Sequence, residues 1–247
     1  MRLLIIRHGD PDYERDCLTE QGKREAEALA DALEDTRIDA AYVSPLGRAR
    51  LTAKAVLDRK KNIEPEILYW LREFDAKIPR PDRPGQLSIT WDWLPADLAK
   101  EDDFYNIYTW QNPEIIANSD APEKYRIVCD NLDALLNHHG YRREGRFYRA
   151  WNRNADTIAL FCHFGVESVI LSRLLNISPM LLWHGFCALP SSVTRIYTEE
   201  RREGIASFRV SEYGDLSHLK RAGIAPSFSA RFCERFDETD ERCNRHD

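Results

Sequence analysis

Apolar and polar positions alternate between two periods along this chain. Residues 2–7 (Arg-Leu-Leu-Ile-Ile-Arg) form a short apolar run that reads as a buried strand. Ala26, Leu29, Ala30 and Leu33 then recur at i, i+3, i+4 and i+7, the stripe of an amphipathic helix, with Thr19 as its N-cap. A second strand ends at Tyr42-Val43. Ser44-Pro45 follows as cap and first residue of a second helix, which turns Ala49, Ala53, Val56 and Leu57 to the core. Ile67-Leu68-Tyr69 reads as a third strand. The order β, α, β, α, β predicts an α/β fold: a three-layer sandwich, its sheet mostly parallel, with helices on both faces.

The rhythm breaks over residues 74–122. This stretch holds six of the twelve prolines, together with Trp91, Trp93, Phe104, Tyr105, Tyr108 and Trp110. Disordered segments lack aromatics, so it reads as a folded insertion or cap within one domain spanning 1–247. The α/β pattern resumes with a helix from about Glu123 to His138, buried through Tyr125, Val128, Leu132, Leu135 and Leu136. Then come a strand ending at Cys162, a helix from about Val166 to Leu175, and strands near 193–197 and 207–210. The segment after Pro226 is charged and reads as a loose tail.

The chain has 247 residues and a formal net charge of −6, which opposes general attraction to nucleic acid or an anionic membrane surface. No apolar run approaches the ~20 residues of a membrane span, and no signal-peptide pattern opens the sequence. Cys17, Cys129, Cys162, Cys187, Cys233 and Cys243 show neither a CxxC pair nor metal-ligand spacing. The expectation is free thiols in the cytoplasm, with a Cys233–Cys243 disulfide as the lesser alternative.

Two histidine motifs stand at strand ends: Arg7-His8-Gly9, and His163 after the run Ile158–Cys162. Ligands of open α/β sheets bind outside the carboxyl ends of the strands. If the two strands are neighbours, both imidazoles enter one crevice beside the fixed charge of Arg7, which suits phosphate chemistry. Other candidates carry plainer readings. Ser168 stands where a Cys-x5-Arg phosphatase would need its arginine, so Cys162 reads as a buried thiol. Glu167 reads as a favourable charge in a helix first turn. His138-His139 closes a helix and implies no metal.

Five segments together resemble the histidine phosphatase superfamily, the phosphoglycerate mutase-like family. They are Arg7-His8-Gly9; Leu18-Thr19-Glu20-Gln21-Gly22; Ser44-Pro45-Leu46-Gly47-Arg48-Ala49-Arg50-Leu51-Thr52-Ala53; Leu71-Arg72-Glu73; and Cys162-His163-Phe164-Gly165. The resemblance covers 1–73 and 156–197. It selects Arg48 over Arg50, and it implies phosphomonoester hydrolysis through a phosphohistidine on His8. Arg7 and Arg48 would clamp the phosphate, His163 would donate to it, and Glu73 would be the general acid. Backbone N–H groups after His163 would also face the phosphate. No metal or other cofactor is expected. The partners would be a small phosphomonoester and inorganic phosphate, the product.

The chain departs from the family at Asp10-Pro11, at Phe164 and at Phe74-Asp75-Ala76-Lys77. The last of these counts against the alternative of a phosphomutase. Retention of all five polar residues counts against a non-catalytic phosphate- or phosphoprotein-binding module. Phe164 is expected to narrow the pocket. The insertion's tryptophans have two competing roles, core or substrate wall. The wall reading assigns Trp91 and Trp93 to the leaving group.

Overall fold

The computed structural model describes residues 1–229. Its elements, in order, are β1 (Arg2–Arg7), β2 (Pro11–Asp12), β3 (Cys17–Leu18), α1 (Glu20–Leu33), β4 (Ala40–Val43), α2 (Gly47–Leu57) and β5 (Glu66–Ile67). Next come β6 (Lys77–Arg80), β7 (Arg83–Ile89), α3 (Pro95–Leu98), α4 (Glu114–Ala117), α5 (Ala121–His138), β8 (Tyr141–Glu144) and β9 (Phe147–Ala150). The described chain ends with β10 (Thr157–Cys162), α6 (Phe164–Leu175), α7 (Pro179–Gly185), β11 (Val193–Arg202), β12 (Ile205–Asp215) and α8 (Ser217–Ala222).

Eight strands form one sheet in the order β5-β4-β10-β1-β11-β12-β9-β8. The β5-β4-β10-β1 half is parallel, and the pairings from β1 to β8 are antiparallel. Strand alternation divides the core. Leu4, Ile6, Ala41, Val43, Ala159 and Phe161 pack with the apolar stripe of α1 and with α2. Leu3, Ile5, Tyr42, Ile158, Leu160 and Cys162 pack on the other face with α5 and α6. Helices therefore cover both faces of the parallel half, which makes it the middle of three layers.

Thr19 caps α1 by accepting from Gly22 N at 3.0 Å, and Ala26, Leu29, Ala30 and Leu33 are all buried. The second helix differs from expectation. It starts at Gly47 with Leu46 as N-cap, because Ser44 Oγ is used elsewhere. Of the expected strand 67–69 only Ile67 pairs; Tyr69–Leu71 winds into a 3-10 turn. The hairpin β8–β9 and the helix α7 lacked a long periodic signal. The insertion is folded: β6 and β7 form a hairpin, and Phe74, Ile78, Trp93, Phe104, Trp110 and Ile116 join the same core as Trp183 and α5. Cys17, Cys129 and Cys162 are free thiols, whereas Cys233, Cys243 and most of the charged tail lie outside the described residues.

Candidate active site

Strand register brings the histidines together. β1 and β10 are adjacent and parallel, with Arg7 aligned to Cys162. His8 and His163 are thus the first residues beyond two aligned strand ends. Neighbouring strands lie about 4.8 Å apart, and the imidazole centroids are 5.0 Å apart at 55°. Both rings are buried.

Each ring has one nitrogen engaged by a partner. His8 Nδ1 lies 2.7 Å from Gly9 O. A carbonyl only accepts, so Nδ1 carries the hydrogen and Nε2 keeps its lone pair. His163 engages its other nitrogen. Its Nε2 lies 2.7 Å from Ser44 Oγ, whose lone pairs also receive Leu46 N–H at 3.3 Å. With the Ser44 hydroxyl donating to Nε2, Nδ1 carries the hydrogen; that Nδ1 is buried without a partner. One ring presents a lone pair and the other an N–H. Burial, then the neighbouring charges of Arg7 and Arg48, hold both imidazoles well below the ordinary histidine pKa; for His163 the charge of His8 precedes those of the arginines.

The arginines converge on the same crevice. Arg7 is 4% exposed, its Nη1 donates to Ala188 O, and its guanidinium lies 5.8 Å from the Phe164 ring. Arg48 is 8% exposed, while Arg50 one turn-fraction on is exposed. Arg48 Nη1 donates to Asp16 Oδ1 at 2.6 Å, and its guanidinium lies 5.3 Å from the Tyr13 ring. Nε of both arginines is buried and unpartnered.

Glu73 follows the 3-10 turn Tyr69–Leu71. Its Oε1 accepts from Phe74 N at 2.8 Å and Val166 N at 3.3 Å. Burial raises its pKa, against the opposing pull of Arg7, Phe74 N–H, Arg48 and Val166 N–H. The Val166 contact corrects one expectation: that N–H of the α6 first turn holds the carboxyl group rather than a phosphate. Phe164 is buried beside Arg7. Trp91 reaches the site as well, edge-on to Phe164 at 5.8 Å.

Trp93 does not join them. It is 6% exposed, donates its indole N–H to Pro79 O at 3.0 Å and packs on Phe104 at 5.1 Å. Its remaining edge lines a cleft of about 950 Å³ with Pro79, Leu87 and Pro113, a cleft whose walls include neither histidine. A substrate-wall role for Trp93 is therefore corrected to a packing role. Trp110, also an insertion aromatic, is fully buried against Tyr125 and Trp183.

Four supporting residues lie outside the site that the sequence predicts. Ser44 sets the His163 tautomer. Thr52 Oγ1 accepts from Gly9 N at 3.0 Å and donates to Arg48 O at 2.9 Å, tying the loop after β1 to α2. Asp16, with φ 47°, accepts from Gly47 N and Arg48 Nη1, both at 2.6 Å. It caps α2 from another loop. Glu167 is fully buried rather than a surface first-turn charge. Thr194 Oγ1 donates to its Oε1 at 2.5 Å, and burial pushes its pKa up to about 7. Ser44 and Thr52 stand inside the family-like segment 44–53; Asp16 has no sequence signal beyond being acidic, and Glu167 shows only its place in a helix first turn. Gly22 explains the start of α1: a Cβ there would lie 2.2 Å from Asp10 O, so only glycine lets the helix meet the loop after His8.

The family model for the histidine phosphatase superfamily (branch 1) matches residues 3–79. The adenosylcobalamin/alpha-ribazole phosphatase of Salmonella typhimurium is 24% identical over 201 residues, 74% of this chain and 84% of that protein. The 2-carboxy-D-arabinitol-1-phosphatase of Triticum aestivum is 30% identical over 116 residues, 40% of this chain; the match spans only 23% of the wheat protein. Among solved structures, a phosphoserine phosphatase mutant from Entamoeba histolytica superposes with a TM-score of 0.57 at 18% identity, covering 88% of this chain and 98% of that one. The site places Arg7, His8 and His163 at adjacent strand ends and Arg48 on α2. Over residues 3–79 the chain is similar to the histidine phosphatase superfamily.

Proposed function

We propose that the protein is a metal-independent phosphomonoester hydrolase working through a phosphohistidine on His8. The carrying observation is the pair of imidazoles at aligned strand ends, His8 held through Nδ1 and His163 through Nε2, so that His8 Nε2 and His163 Nδ1 are left for a ligand between two buried arginines. His8 Nε2 attacks phosphorus as the ester P–O bond breaks. Arg7, Arg48 and His163 stabilise the charge on the non-bridging oxygens. Glu73 transfers its proton to the departing alkoxide. The resulting carboxylate then takes a proton from water, which attacks phosphorus. The P–N bond breaks, and inorganic phosphate leaves with neutral His8 and protonated Glu73 restored.

Phe164 and Trp91 form the apolar wall on the Glu73 side, where the leaving group sits. The relatives' names are those of phosphatases with small phosphorylated substrates, which supports a small phosphomonoester here. The insertion acts as a cap within one domain, and the free thiols of Cys17, Cys129 and Cys162 accord with a cytoplasmic setting. No helix among the described residues is long and apolar enough to cross a membrane.

The test is a phosphate-release screen over small phosphorylated metabolites with a chelator present. Turnover of at least one compound in chelator is expected. Activity that vanishes in chelator and returns with a divalent ion contradicts the mechanism.

A further inference from the structure

Glu73 is half-buried and meets aromatic side chains on its Gly165 side. A Cβ at Gly165 would lie 2.6 Å from Glu73 Oε1, 2.5 Å from Trp91 Cζ3 and 2.6 Å from Trp91 Cη2. The carboxylate oxygen and the indole edge therefore meet over one point, and glycine leaves room for both. Trp183 closes the floor. Its indole N–H donates to Gly165 O at 3.0 Å, and its ring lies 4.9 Å from Phe74 and 6.4 Å from Trp91. Phe164 meets Trp91 edge-on at 88°. Phe74, Phe164 and Trp183 are buried, whereas Trp91 is partly exposed, so Trp91 is the outer wall. It is also the wall carried by the insertion, two residues after β7.

The groups facing Glu73 act mostly in one direction. Arg7 from β1, Arg48 from α2, and the N–H groups of Phe74 and Val166 all favour the carboxylate. Glu167 from α6 and the Cys162 thiol at the end of β10 are the titratable acids that also sense it. Against two arginines, exclusion of water is what retains the proton.

We propose that Trp91 is a positioning residue that shields the Glu73 carboxyl group from water, so that the insertion keeps the leaving-group acid in its proton-donating state. This rests on the reading of Glu73 as the general acid. It adds that the acid is made by a residue outside the histidine pocket, and it gives the insertion a part in the chemistry besides substrate contact.

The experiment compares an alkyl phosphate, glycerol 2-phosphate, with 4-nitrophenyl phosphate, whose phenolate leaves without being protonated, across a full pH range. In Trp91→Ala the ratio of alkyl to aryl kcat should fall about tenfold or more at neutral pH. The basic limb of the alkyl profile should move about one unit toward acid. Trp91→Phe should restore both. An unchanged ratio with an unmoved basic limb overturns the proposal. If Trp91→Ala fails to fold, Trp91→Gln, which fills the space but brings a polar group, is read by the same outcomes. Glu73→Gln separates the two layers. If it leaves the alkyl profile as in the parent, the reading of Glu73 fails; if it abolishes the basic limb while Trp91→Ala does not move it, the shield alone fails.

Discussion

Replacing Asp16 removes two contacts at once, and they have different consequences. Asp16 Oδ2 accepts from Gly47 N at the start of α2, and Oδ1 accepts from Arg48 Nη1. Loss of a helix cap costs about 0.5–2 kcal/mol. A hydrogen bond to a charged group adds about 1.5–3 kcal/mol when sheltered, but the Asp16 side chain is 41% exposed, so the lower end applies. Asp16→Ala should therefore cost on the order of 2 kcal/mol and lower Tm by about 4–8 °C. Two effects compete for anion binding. Removing a carboxylate this exposed from the neighbourhood of a bound oxyanion favours the anion by less than about 1 kcal/mol. Freeing the Arg48 fork exposes binding to as much as about 2 kcal/mol of rotamer entropy. The entropic effect is larger, so Asp16→Ala should bind vanadate about tenfold more weakly. Asp16→Asn keeps an acceptor while losing the charge and should stay within about threefold of the parent. Inhibition by vanadate and a thermal melt read both quantities. Asp16→Ala binding vanadate as tightly as the parent, despite a lowered Tm, refutes the idea that Asp16 orients a phosphate-clamping arginine.

Three further outcomes follow from the same geometry. Ser44→Ala leaves His163 Nε2 without its donor, so the Nδ1–H tautomer is no longer enforced; kcat should fall about tenfold to hundredfold with a smaller change in KM, and a parent-like kcat would exclude the tautomer role. Glu167 has a raised pKa of about 7 against 4.5 in the unfolded chain, so the native state binds more protons between these values and stability drops as pH rises through that window. His8 and His163, with lowered pKa values, act in the opposite sense below pH 6.5; the difference between the urea stability profiles of Glu167→Gln and the parent isolates the carboxyl, and equal slopes from pH 4.5 to 7 would contradict its burial as a titrating group. Trp93→Ala should cost about 3–5 kcal/mol and lower every activity together, whereas a KM effect at unchanged Tm would return Trp93 to the substrate wall.

The parallel half of the fold was legible because its signals are local. Leu3–Ile6 and Ile158–Phe161 are apolar runs of strand length, and α1 carries an uninterrupted stripe behind a threonine cap. The antiparallel half was legible only in part. β8 and β9 are four residues each, and their sequences Tyr-Arg-Arg-Glu and Phe-Tyr-Arg-Ala show no alternation of apolar and polar residues. Ser44-Pro45 matched a helix start, yet its hydroxyl is committed to His163, and that long-range partner overrode the local signal. At the site, residues at strand ends could be placed because sequence fixes where strands stop. Trp91 and Trp93, two positions apart, could not be told apart. One reaches Gly165 and the other packs on Phe104, and that choice is made by tertiary packing of the insertion. Asp16 and Glu167 escaped because a carboxylate's role depends on what it meets, and each meets a partner at least 27 residues away.

The central claim is that His8 Nε2 takes the phosphoryl group, and rapid acid-free quenching during turnover tests it most directly. The parent incubated with a labelled phosphomonoester should yield a base-stable, acid-labile label that peptide mapping assigns to His8, and His8→Ala should give neither label nor turnover. The fold should survive that change, since His8 lies beyond the end of β1 and its side chain meets the pocket rather than the apolar layers. Label on His163 in the parent, or turnover retained by His8→Ala, would contradict the account.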